Sequence, residues 1–148
     1  MKDSLGGDGA TVLVQTNNAM VGRGSALEVN VVVEGGNKPA TVDALILRVL
    51  EARRHWVDEA GTVIQESDAP EPSQRGSLRP EWTQTILEEQ TVQVGQEVSP
   101  GDSAYLPVVV EIPAQCGPTG DGCKVTINAQ ADIKHQIDPS GNGRIVVS

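Results

Sequence analysis

Strict alternation in the last third of the chain, residues 102–148, constrains its fold more than any other feature. Ala104, Leu106, Val108, Val110 and Ile112 take every second position, with Tyr105, Val109 and Glu111 between them. Further on, Val125, Ile127, Ala129, Ala131 and Ile133 alternate with Lys124, Thr126, Asn128, Gln130 and Asp132. A period of two held over about ten residues marks a strand with one buried and one solvated face. Helical periodicity does not compete. The Cys-bracketed stretch between these two strands reads as a hairpin tip. A Gly-rich turn at 138–143 then reads as leading to a short closing strand.

What fills the core follows from what is missing. Among 148 residues there is no Phe, and Trp56, Trp82 and Tyr105 are the whole aromatic complement. Val, Ile, Leu and Ala must make the interior, which suits thin sheet-on-sheet packing of β-branched side chains. A chain of this length is expected to form one domain with a real core and no need of staples. Its formal charge of -9 excludes a nucleic-acid binder, since phosphates call for clustered Lys and Arg. The start, with one Lys and no apolar run after it, is not a secretory signal, and no stretch is long enough to span a membrane. A cytoplasmic location is the expectation. Residues 1–9, with Gly6, Gly7 and Gly9, read as a flexible lead-in to a single domain over 10–148.

The remaining elements follow in order. Strands are expected at 10–15, at 26–34 with Leu27, Val29, Val31 and Val33 inward, and at 41–52. The last is a near-continuous apolar run suited to a central strand. Asn17, Asn18, Gly22 and Gly24 mark a turn-rich stretch, and Gly35-Gly36-Asn37 a turn. A hairpin is expected around 58–61, with Thr62, Val63 and Ile64 returning. Residues 66–80 hold Pro70, Pro72, Gly76 and Pro80 and read as a long, mobile surface loop. Extended structure resumes at 82–94. About seven to nine strands without a convincing helix describe an all-β, immunoglobulin-like antiparallel sandwich.

Candidate sites are few. Arg53 and Arg54, with Arg75 and Arg79 in the long loop, form the basic residues a partner's acidic or phosphorylated segment could use. Arg48 and His55 lie beside them. Cys116 and Cys123 bracket a Gly-rich loop whose ends face each other, within reach of a disulfide in an oxidising compartment and free in a reducing one. Zinc on Cys116, Cys123, His55 and His135 is weighed against by long and scattered spacing. Residues 138–143 carry oxygen side chains at the first, third and fifth positions and Gly at the sixth, half of a calcium loop, yet Asn142-Gly143 is also a hairpin signal. Glu88 and Glu89, as strand neighbours, point to opposite faces and cannot act together. His135 has no nucleophile at a recognisable spacing, so no enzyme, metal or cofactor is expected.

An ordered series of motifs carries a resemblance. They are Leu27-Glu-Val-Asn-Val-Val-Val-Glu-Gly-Gly36, Val42-Asp-Ala-Leu-Ile-Leu-Arg-Val49 and Val92-Gln-Val-Gly95 with Ser99-Pro-Gly-Asp102. The series continues with 107–113, then Ala131-Asp-Ile133 with Asp138-Pro139. In this order they resemble the amino-terminal half of the arrestin-like proteins, and within them the bacterial sporulation-control family. The resemblance implies an arrestin-type sandwich that binds proteins, regulatory and without enzymatic activity. Members typically pair two such sandwiches, so a second copy of the chain, forming a homodimer, is the expected cover for a surface left open here. The protein partner is not named by any motif. The alternative reading is an extracytoplasmic structural or adhesion sandwich, held by a Cys116–Cys123 bridge and by calcium.

Overall fold

The computed structural model describes residues 9–148. Apart from Gly9, the expected lead-in lies outside the described residues. Nine strands follow in order: β1 (Thr11–Gln15), β2 (Met20–Val21), β3 (Ala26–Glu34), β4 (Ala40–Val57), β5 (Val63–Gln65), β6 (Arg79–Val98), β7 (Ser103–Glu111), β8 (Cys123–Ile133) and β9 (Ser140–Val147). Two single-turn 3-10 helices, Glu66–Asp68 and Pro72–Gln74, interrupt the segment between β5 and β6. Among the described residues no helix is long and apolar enough to cross a membrane.

The strands form a sandwich, as their alternation requires. One sheet is three-stranded in the order β1-β3-β7; the other is six-stranded, running β2-β9-β8-β4 with β5 and β6 also paired to β4. Val31 and Val33 from the first sheet meet Leu45, Leu47, Val49, Val125, Ile127 and Ala129 from the second, all buried. Alternation gave the register of β7 and β8 correctly: Ala104, Val108 and Val110 are buried, while Tyr105 and Val109 face solvent. Val32 departs from strict alternation. It lies on the outer face of β3 but is covered by its cross-strand neighbours Leu13 and Tyr105.

Two expectations are corrected. The Cys-bracketed loop does not tip a hairpin, because β7 pairs with β3 while β8 pairs with β4 and β9 in the opposite sheet. Both strands bury one face in the same core from opposite sides. Alternation fixes which face is buried but not which strand lies alongside. Residues 138–143 are neither a calcium half-loop nor a turn at Asn142-Gly143. Gly143 sits within β9, opposite Ile127, and the reversal falls earlier, around His135 with its φ of 67°. The glycines serve close approach: a β-carbon on Gly141 or Gly143 would strike the carbonyls of Val12 and Val14 on β1. The segment 66–78 is the expected irregular surface connection, and it folds back over the end of β4.

β4 is the organising strand. It pairs with β8 from Val42 to Arg53 and with β6 from Ala40 to Val57, with bulges near Ala44 and Leu50. The predicted hairpin is present, with Val57 opposite Val63. β6 pairs along its whole length with β4 on one side, and its other edge pairs with no strand among the described residues.

Candidate functional site

The end of β4 sends alternate side chains to the two faces of its sheet, which separates the two neighbouring arginines. Glu51 and Arg53, two residues apart, share the core-facing side. Glu51 is only 5% exposed, and its carboxylate accepts from Arg53 Nε at 2.7 Å and from the Gly117 amide at 2.6 Å. Burial pushes the Glu51 pKa up, but the Arg53 guanidinium and the Gly117 N–H together outweigh it and hold the group below its ordinary value. A β-carbon at 117 would lie 2.8 Å from the Arg53 guanidinium, so a larger residue there would push that side chain aside.

Both cysteines border this carboxylate and are free thiols. The Cys123 thiol points to Glu51 Oε2 at 3.9 Å. Burial first, then the Glu51 charge, push the Cys116 pKa up to about 11; Cys123 is raised by the same two causes. Neither is an activated nucleophile, since the thiolate is disfavoured at both. His55 pairs with Glu81 at 3.2 Å on the sheet edge, and His135 stands in the turn after β8. Among the described residues no group of three or more metal-ligating side chains is assembled, so the four zinc candidates do not converge.

Arg54 faces the opposite side of the sheet. It donates to both oxygens of Glu66, from Nε at 2.9 Å and from Nη2 at 2.7 Å. Trp56 Nε1 also donates to Glu66, at 2.8 Å. The Arg54 guanidinium lies 4.9 Å from the Trp56 ring centre and Arg75 lies 4.8 Å from it, which presses the 66–78 segment onto the sheet. Arg54 holds the Glu66 carboxyl down to about 2, with burial opposing and Trp56 assisting. A folded pKa below the ordinary 4.5 adds stability that is present above that value and lost as pH falls toward 2. Glu66→Gln is therefore expected to cost about 1–2 kcal/mol at pH 7, with the gap to the native protein closing between about pH 4.5 and 2. Urea denaturation at pH 7, 4 and 2.5 measures this; a gap independent of pH would mean that Glu66 acts by packing alone.

Of the four arginines singled out in the sequence, Arg54 and Arg75 thus meet on Trp56, Arg53 turns to the other face, and Arg79 opens β6 opposite Val57. Arg54 and Arg75 are engaged by Glu66 and Trp56 and do not present a vacant basic surface. What the sequence reading missed is the carboxylates. Glu51 stands two residues before Arg53, a same-face spacing in a strand, and that signal was legible. Glu66 had none, lying across an irregular segment.

The outer edge of β6, along its 20 residues, is left without a strand partner among the described residues. Trp82 and Ile86, on the outer face beside Arg54 and Leu50, are 44% and 55% exposed. β7 borders the same side of the sandwich, touching β6 where Gln90 donates to the Val109 carbonyl at 3.0 Å.

Comparison with known proteins supports the sequence resemblance. The family model described as SpoOM protein matches residues 1–148. Among solved structures the chain is similar to Spo0M, sporulation control protein, from Bacillus subtilis. The TM-score is 0.69 at 18% identity, covering 95% of this chain and 49% of that one. The likeness shows the fold, an arrestin-like β-sandwich, and the chain spans about half the length of this solved relative. A family 123 glycoside hydrolase from Clostridium perfringens aligns with a TM-score of 0.39 at 11% identity, over 94% of this chain and 27% of that one, too slight to carry an argument. No curated protein sequence matches.

Proposed function

We propose, from the premise that this chain belongs to the SpoOM protein family, that it is a regulatory, non-enzymatic module of arrestin type that binds other proteins through the outer edge of β6. The observation that carries this reading is the edge itself: a 20-residue strand paired on one side only among the described residues. Its unmatched N–H and C=O groups are a template for another chain's strand. The regulatory part rests on the solved relative, which is described as a sporulation control protein. Around the two cysteines and Trp56 the charges are paired, Glu51 with Arg53 and Glu66 with Arg54, and neither thiol there is activated.

Free thiols at Cys116 and Cys123 suit the reducing cytoplasm. The extracytoplasmic adhesion reading is not favoured, since no bridge joins the two cysteines.

Affinity capture from the source cell tests the proposal, comparing the native chain with Ile86→Lys. This substitution places a long charged side chain on the exposed face of the edge strand and removes nothing from the core. Proteins recovered with the native chain and lost with the folded variant support the edge. Equal recovery with both would overturn it.

A further inference from the structure

The charge on β6 narrows what can pair with it, and this inference rests on the edge-binding reading above. β6 carries Glu81, Glu88, Glu89 and Glu97 against the single cation Arg79. Glu81 is engaged by His55 and Glu89 by Arg48, but Glu88 and Glu97 make no ion pair among the described residues. Both are exposed. There is no Lys on the strand and its one Pro stands at position 80, so its blunting rests on acidic side chains and on two bulges, which leave the stretch from Glu81 to Ile86 regular.

A second copy of the chain fits poorly here. The two-fold antiparallel register that pairs all twenty residues joins Arg79 of one copy to Val98 of the other. It sets Glu88 opposite Glu89 twice, and like charges directly opposite are destabilising. An acidic or phosphorylated segment is disfavoured for the same reason: of the four arginines named for it, Arg54 and Arg75 are held by Glu66 and Trp56, Arg53 is paired with Glu51, and Arg79 stands alone at the start of the strand.

We propose that the outer edge of β6 receives an extended basic segment of another protein, one in which Lys or Arg alternates with apolar residues. Its backbone completes the ladder that β6 leaves open. Its apolar side chains lie beside Ile86 and Trp82, on the face where these stand next to Leu50 and Arg54. Its cations, on the opposite face, reach Glu88, which stands beside Val49. Main-chain bonds supply affinity in such strand addition, and the alternate side chains supply selectivity.

The probe is a capped ten-residue peptide alternating Lys and Val, set against its Glu–Val counterpart and a Lys–Val version N-methylated at every second residue. Binding is followed on the whole chain by amide chemical shifts. The Lys–Val peptide is expected to shift and protect amides between 81 and 97 and to weaken as salt rises. The Glu–Val peptide should bind about tenfold more weakly or worse. Glu88→Gln should lower Lys–Val affinity about two- to fivefold. Loss of binding on N-methylation shows that the backbone is engaged. Equal binding of both peptides, shifts centred on another surface, or protection that rises with protein concentration without peptide would each overturn the proposal. If Lys–Val fails to bind while Ile86→Lys still abolishes capture, the edge reading stands and the basic partner falls.

Discussion

Replacing Ile127 by Ala is expected to destabilise the protein by about 2–4 kcal/mol. Ile127 is fully buried on β8, between Val49 of β4 and Gly143 of β9. Its cross-strand neighbour on one side has no side chain to move into the space. On the other side stands a β-branched Val, stiff at χ1. The cavity therefore stays open and the upper half of the range applies. Thr126→Ala, one residue away on the outer face, should change stability by about 0.5 kcal/mol or less. Urea titrations with an unchanged slope read both directly. Equal losses at 126 and 127 would mean that the register is displaced by one residue.

Arg53→Met should cost about 3 kcal/mol at neutral pH, for a different reason. Arg53 is itself half exposed, but it supplies the counter-charge to Glu51, which is buried. Without it a carboxylate stays inside the sandwich with the Gly117 amide and a distant thiol as its partners. In the native protein Glu51 titrates below its ordinary value, so its contribution is present above that value and lost as pH falls. In the variant burial prevails and the sign reverses. The folded pKa rises above the unfolded one, and the penalty appears as pH rises and is relieved in acid. Adding Glu51→Gln should restore much of the loss, because the amide still accepts from Gly117 and carries no charge. A penalty that does not depend on pH, or no recovery in the double variant, would show that Arg53 acts through its stem and not its charge.

These two sites differ in how far they were legible in the sequence. The core face of β8 was readable from Val125, Ile127, Ala129 and Ala131, because a period of two states which side chains are buried. So was β3, except at Val32, where flanking Leu13 and Tyr105 close over the outer face. The partnering of strands was not readable. The loop of 116–123 has a hairpin's composition, yet it carries the chain from one sheet to the other, since local sequence does not say which layer a strand joins. The glycines after Asp138 were assigned to a turn when their task is to admit the backbone of β1. For the candidate site, the arginines were visible and their employment was not. Arg54 and Arg75 are bound by Glu66 and Trp56, contacts made across an irregular segment without periodicity. The edge of β6 was seen only as resumed extended structure at 82–94, because an open edge is a property of topology.

The edge is therefore the claim to test first, and amide hydrogen exchange along 79–98 in the isolated protein does so most directly. A strand bonded to β4 on one side only should show alternating protection, slow where the amide faces β4 and fast where it faces outward, interrupted at the bulges. Uniform slow exchange along the strand would contradict the account, since it would mean that the outer edge is already covered.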